Sequence, residues 1–143
     1  MEPEERKKKI MTGLSAVVGV FVLVLIQHFL FAPPGFDKDL AKSASEANKI
    51  CPMYVDKDTR LDNTVALPGL VIQYNYTLVN YVRDSLDIET LKKALEPGIL
   101  NSIRTNPELK NHRDHKVTMN YSYHDKNKVF LFLISITPDM YSK

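Results

Sequence analysis

Apart from Cys51 the 143-residue sequence has no cysteine, so no disulfide can form within the chain and its stability must come from packing. Cys51 either sits among its apolar neighbours Ile50, Met53 and Val55 or pairs with another chain. Excess charge is scarce too. The net charge is +2 and no basic stripe with interleaved aromatics appears, which argues against a nucleic-acid partner. There is no Gly-x-Ser-x-Gly elbow and no cysteine beside an orienting histidine, so the chain reads as a non-enzyme with no cofactor. Repeats and low-complexity tracts are also missing. The most informative absence is local: no charged side chain lies between Lys9 and Asp37.

Within that gap, Ile10 to Phe31 is apolar at nearly every position. As a helix this stretch would reach about 33 Å, close to the roughly 30 Å hydrocarbon core of a bilayer, and only a helix satisfies its backbone there. Residues 10–31 therefore read as a transmembrane helix, with the lipid bilayer as a partner. Arg6, Lys7, Lys8 and Lys9 crowd its start, so residues 1–9 form a basic cytoplasmic tail and the C-terminal part lies outside the cytoplasm. A cleaved signal peptide is the rival reading, with Ser43-Ala44-Ser45 as a distant cleavage site. The run is longer than an h-region, however, and Ala32 is followed by Pro33 and Pro34, so a retained anchor is expected. Ser15 and Gly19 are spaced to let a second helix pack closely. Gln27 and His28 fall at the outer interface.

Residues 32–36 form a stiff Pro/Gly spacer, and residues 37–143 are enough for one small domain. Helical spacing of Leu40, Ala44, Ala47 and Ile50 predicts a first helix from Asp37 to Ile50. Met53 to Leu61 alternates as an exposed edge strand, and Pro68-Gly69 turns the chain into a strand over Leu70 to Asn80. Asp87 caps a second helix carrying Ile88, Leu91, Leu95, Ile99, Leu100 and Ile103, with a kink or restart at Pro97. Asn106-Pro107 starts another turn. Val117 to His124 and Val129 to Ile136 are the last two strands, joined by a hairpin at Asp125 to Lys128. The last strand is apolar on both faces and is expected in the middle of the sheet. The order helix, strand, strand, helix, strand, strand predicts an α+β domain with a four-stranded antiparallel sheet.

Candidate chemistry is sparse. His112, His115 and His124 with Asp114 and Asp125 would suit zinc or copper if their loops met, but Arg113 and Lys116 disfavour a cation there. Asp56, Asp58, Arg60 and Asp62 alternate like a calcium loop, yet the turn glycine is missing and Leu67 stands where the bidentate Glu is needed. Tyr74, Tyr76, Tyr121 and Tyr123 would make an aromatic patch if their strands were neighbours. Val129, Leu131 and Leu133 either meet the second helix or form an interaction surface for a partner. Asn75-Tyr76-Thr77 and Asn120-Tyr121-Ser122 match the glycan acceptor pattern but lie in strands.

Ile50-Cys51-Pro52-Met53, Val55-Asp56, Thr59-Arg60-Leu61-Asp62 and Tyr74 to Asn80 together resemble a group of small bacterial envelope proteins of unknown function. The resemblance covers about the first third of the exported domain. It implies a bacterial host and a single-pass periplasmic module, and transfers no catalytic or ligand residue. That group has further cysteines which this chain lacks, so no disulfide carries over. The expectation is an accessory or assembly subunit of an inner-membrane complex, partnered by other subunits or by copies of itself. The alternative is a periplasmic ligand- or metal-binding sensor.

Overall fold

The computed structural model describes residues 35–143, so the tail 1–9, the expected span 10–31 with Ser15 and Gly19, and most of the 32–36 spacer lie outside the described residues. Among the described residues no helix is long and apolar enough to cross a membrane. Phe36, expected to end the spacer, already belongs to the domain: its carbonyl accepts from the Leu40 N–H at 2.8 Å and its ring packs against the core.

Helix α1, Asp37–Asn48, places Asp37 and Asp39 at the positive end of its dipole and buries Leu40 and Ala44, one turn apart. The expected strand Met53 to Leu61 is instead two pieces, β1 (Met53–Tyr54) and β2 (Thr59–Leu67). The cause is an Asx turn: Asp56 Oδ1 accepts from the N–H groups of Asp58 and Thr59, both at 2.8 Å, and the chain doubles back so that Met53 faces Leu61. Gly69 and Leu70, both at positive φ, turn β2 into β3 (Val71–Leu78).

Helix α2, Ile88–Thr105, is capped by Asp87, which accepts from the Thr90 N–H at 3.1 Å and from its hydroxyl at 2.7 Å. It runs through Pro97 without restarting. Burial beyond the proline, complete at Ile103 and partial at Ile99 and Leu100, holds the last turns on the sheet despite the lost hydrogen bond. A 3-10 turn at Pro107–Leu109, capped by Asn106, leads into α3 (Lys110–Asp114). Strands β4 (Thr118–Asp125) and β5 (Phe130–Ile136) and the short α4 (Pro138–Tyr141) complete the chain.

The sheet has five strands in the order β1-β2-β3-β4-β5, and it is mixed rather than antiparallel. β3 and β4 run parallel, Tyr74 beside Tyr121 and Tyr76 beside Tyr123, because α2 carries the chain back across the sheet and returns it to the end where β3 began. The domain is α+β, as its element order implies.

Strand β5 is an edge strand, not the central one, and a bulge explains why it looks apolar on both faces. Tyr123 pairs with Phe132 and His124 with Phe130, leaving Leu131 as an extra residue turned into the core. Val129, Leu131 and Leu133 therefore do not form one surface: Leu131 is 5 % exposed, Val129 is 45 % exposed, and Leu133 is half-buried.

The β4–β5 turn is tied by Asp125. Its Oδ1 accepts from the N–H groups of Asn127 at 2.8 Å and Val129 at 2.9 Å, and its Oδ2 from that of Arg83 at 3.0 Å. Desolvation pushes its pKa up, but the three backbone donors outweigh it and hold the carboxyl below its usual range. A lowered native pKa gives stability that is present above the unfolded value near about 4 and lost as pH falls through the native one. Asp125→Ala is therefore expected to lower the urea midpoint near neutral pH and to flatten its acid-side fall below about pH 4. An unchanged midpoint would show that the three N–H groups find other partners.

Candidate functional site

The alternating tyrosines of β3 and β4 point to the face of the sheet that α2 covers, and the parallel register brings them together. Ring centroids lie 5.2 Å apart for Tyr74 and Tyr121, 6.2 Å for Tyr76 and Tyr121 and 5.2 Å for Tyr76 and Tyr123, and Phe132 of β5 extends the row at 4.9 Å from Tyr123. The helix does not seal this floor. Between them is an open groove of about 570 Å³, with Tyr76, Tyr121 and Tyr123 as floor and Leu91, Leu95 and Ile99 of α2 as the far wall.

The mouth of the groove is polar. It is formed by the turn Val55 to Thr59 and by Tyr81, which are tied together: Val79 N–H donates to the Asp58 carbonyl at 2.9 Å and Asn80 Nδ2 to Asp58 Oδ1 at 2.7 Å. Asp56 stays ionised, chiefly because its carboxylate accepts the Asp58 N–H. Lys57, the cation of this turn, has a 90 % exposed side chain and only touches Asp58, at 3.9 Å.

Tyr141 donates to the Val117 carbonyl at 3.0 Å, but no described residue is hydrogen-bonded to the hydroxyls of Tyr74, Tyr76, Tyr121 or Tyr123. Desolvation pushes Tyr74 and Tyr123 up to about 12 and raises Tyr76 and Tyr121 further. At neutral pH all four are un-ionised donors. The site can hold a ligand by apolar and aromatic contact with a few directed hydrogen bonds, and it offers no nucleophile with a base.

The histidines do not converge. His115 stacks face to face on Phe36 at 3.8 Å and His112 meets the same ring edge-on at 6.3 Å, whereas His124 lies edge-on to Phe130 at 5.7 Å on the other face of the sheet. His112 is 8 % exposed, neither ring nitrogen has a partner, and burial followed by the charge of His115 lowers its pKa. Among the described residues no group of three or more His, Cys, Asp or Glu could hold a metal ion. Cys51 is half-buried and unpaired, and burial followed by Asp62 pushes its thiol up, away from reactivity.

The sheet's outer face is polar and largely self-satisfied. Gln73 Nε2 donates to Asn75 Oδ1 at 2.9 Å, Asn75 Nδ2 to Asn63 Oδ1 at 2.7 Å, and Asp62 takes Arg60 Nε at 2.6 Å together with the Thr77 hydroxyl. The tyrosine row is legible from the sequence as alternation. The groove's mouth is not, although the Asp56-x-Asp58 pair, readable as an Asx turn, is the signal that could have placed it.

Solved structures with this fold include three of bacterial origin. PA3611 of Pseudomonas aeruginosa, described as secreted, superposes with a TM-score of 0.64 at 12 % identity, covering 73 % of this chain and 91 % of that one. EpsS, the pilotin of the Vibrio vulnificus type 2 secretion system, gives 0.59 at 6 % identity over 74 % and 91 %. AspS, a type II secretion system pilotin of Vibrio cholerae, gives 0.56 at 10 % identity over 79 % and 98 %. At these identities the likeness is one of fold. No curated protein sequence matches the chain. Residues 35–132, and with them most of the chain, match a family described as "Domain of unknown function (DUF8479)", and the chain belongs to that family.

Proposed function

We propose that the protein is a non-enzymatic accessory or assembly subunit of a bacterial envelope complex. Residues 10–31 anchor it in the inner membrane with the N-terminus cytoplasmic, and the domain works in the periplasm by docking part of a partner into the groove between α2 and the sheet. The observation that carries this reading is the groove itself: an aromatic floor and a leucine wall that the domain's own side chains leave unfilled. The fold supports it, since two structures with this architecture are pilotins of type II secretion systems. The charge pattern around residues 10–31 supports the topology. A metal-sensing role loses its footing, because His112 and His115 stand apart from His124.

The test is affinity purification of the tagged full chain from membranes of its own host. A larger assembly is expected to co-purify, and the double change Leu91→Asp/Leu95→Asp, on half-buried groove positions, is expected to strip the partners while circular dichroism stays native. A wild-type chain recovered as a lone monomer sinks the proposal, as does an unchanged partner set in the double variant. Release of the chain by alkaline carbonate would remove the anchor.

A further inference from the structure

The groove is apolar along one wall only, and this limits what fits it. Its floor is made by Tyr76, Tyr121 and Tyr123, whose hydroxyls no described residue satisfies. A wholly apolar occupant would strip water from these donors and return nothing, which costs affinity for every phenol covered. The occupant must therefore carry hydrogen-bond acceptors toward the sheet and apolar groups toward Leu91, Leu95 and Ile99.

The mouth adds a charge requirement. Asp56 and Asp58 both line the groove. One oxygen of Asp56 is taken up by the turn's own N–H groups and one of Asp58 by Asn80, so both carboxylates are held in place. Lys57 lines the groove as well, its Nζ 3.9 Å from Asp58 Oδ2, but its side chain is 90 % exposed and two carboxylates face this one cation. Two carboxylates against one ammonium leave the groove lining one charge negative, which favours a cation over an anionic lipid headgroup or a free fatty acid.

Resting on the docking role proposed above, we infer that the groove takes a peptide segment with apolar residues along one side and a lysine or arginine at the end lying by Asp56 and Asp58. The peptide's polar side meets the tyrosine row, and its cation displaces Lys57 from Asp58 and lies between the two carboxylates.

The experiment uses the full chain in its host, with Leu95 replaced by the photocrosslinker p-benzoylphenylalanine and the same replacement at the exposed outer-face Val65 as control. The adduct at Leu95, sequenced by mass spectrometry, is expected to map to a segment with apolar residues three or four apart and a basic residue at one end. Asp56→Asn/Asp58→Asn keeps both side-chain acceptors of the turn and is expected to cut the yield at least about fivefold. Lys57→Glu, which removes the one cation of the groove lining, is expected to raise it. A captured segment with an acidic or uncharged end overturns the inference and leaves the docking role standing. So does a yield indifferent to these substitutions. A lipid adduct, or none at Leu95, overturns both.

Discussion

Above about pH 10 the domain is expected to lose stability steeply, because its tyrosine row can ionise only in the unfolded chain. Tyr74 and Tyr123 titrate at about 12 in the native state, Tyr76 and Tyr121 later still, against an ordinary value near 10. A raised native pKa means that the folded state holds its proton longer than the unfolded one. Its contribution is intact below about pH 10 and is lost as pH rises toward the native value. Two units at one group correspond to roughly 2–3 kcal/mol, and two such groups already approach the 5–15 kcal/mol that holds an ordinary domain together. The urea midpoint should fall between about pH 9 and 11.5. Tyr121→Phe should push the alkaline transition upward. If these four tyrosines ionise near pH 10 in the folded protein, the row is wetter than its packing implies.

Leu40→Ala is expected to destabilise the domain by about 2–5 kcal/mol and to make it self-associate. Leu40 is 0 % exposed and pins α1 to the sheet, so truncating it removes both transfer energy and the filling of the space between them. The second effect follows from what α1 covers. Asn48, at its end, presents its side-chain amide to the outer edge of β2: Nδ2 donates to the Thr64 carbonyl at 2.8 Å and Oδ1 accepts the Thr64 N–H at 2.7 Å. One side chain thus stands where a neighbouring strand would be, since β1 pairs with only the first part of β2. Freeing α1 uncovers that edge, and an uncovered edge recruits another chain. Denaturation should show the loss, and sedimentation across a concentration series should show dimers that wild type lacks. Val129→Ala, at a 45 % exposed site, should stay within about 0.5 kcal/mol of wild type. A variant that loses stability and stays monomeric would show that β2 is guarded by something other than α1.

Local rules read well from this sequence wherever the deciding neighbours are within four residues. Asp87 caps α2, Asn106-Pro107 starts the 3-10 turn, and Asp125 closes the hairpin, each through hydrogen bonds to backbone groups two to four residues away. Alternation placed the four tyrosines on one face, because strand side chains repeat every second residue whatever the strand pairs with. Reasoning failed where a distant partner decides. The apolar run of β5 suggested a central strand, but a bulge opposite Tyr123 and His124 shifts its phase and buries Leu131. Met53 to Leu61 held a strand pattern, yet the Asx turn at Asp56 and the pull of β3 on β2 split it.

The sequence alone determined where most of the helices and strands fall, which of their faces are apolar, and that one cysteine can form no disulfide within the chain. These follow from side-chain spacing and chemistry, which each residue carries with it. Tertiary structure decided that β3 and β4 lie side by side and parallel, that three histidines fall at two separate places, and that the tyrosine row faces a helix across an open groove. Each of these depends on how a crossover helix and a bulge set the register of residues tens of positions apart, and register is a property of the assembled sheet rather than of any one of its strands.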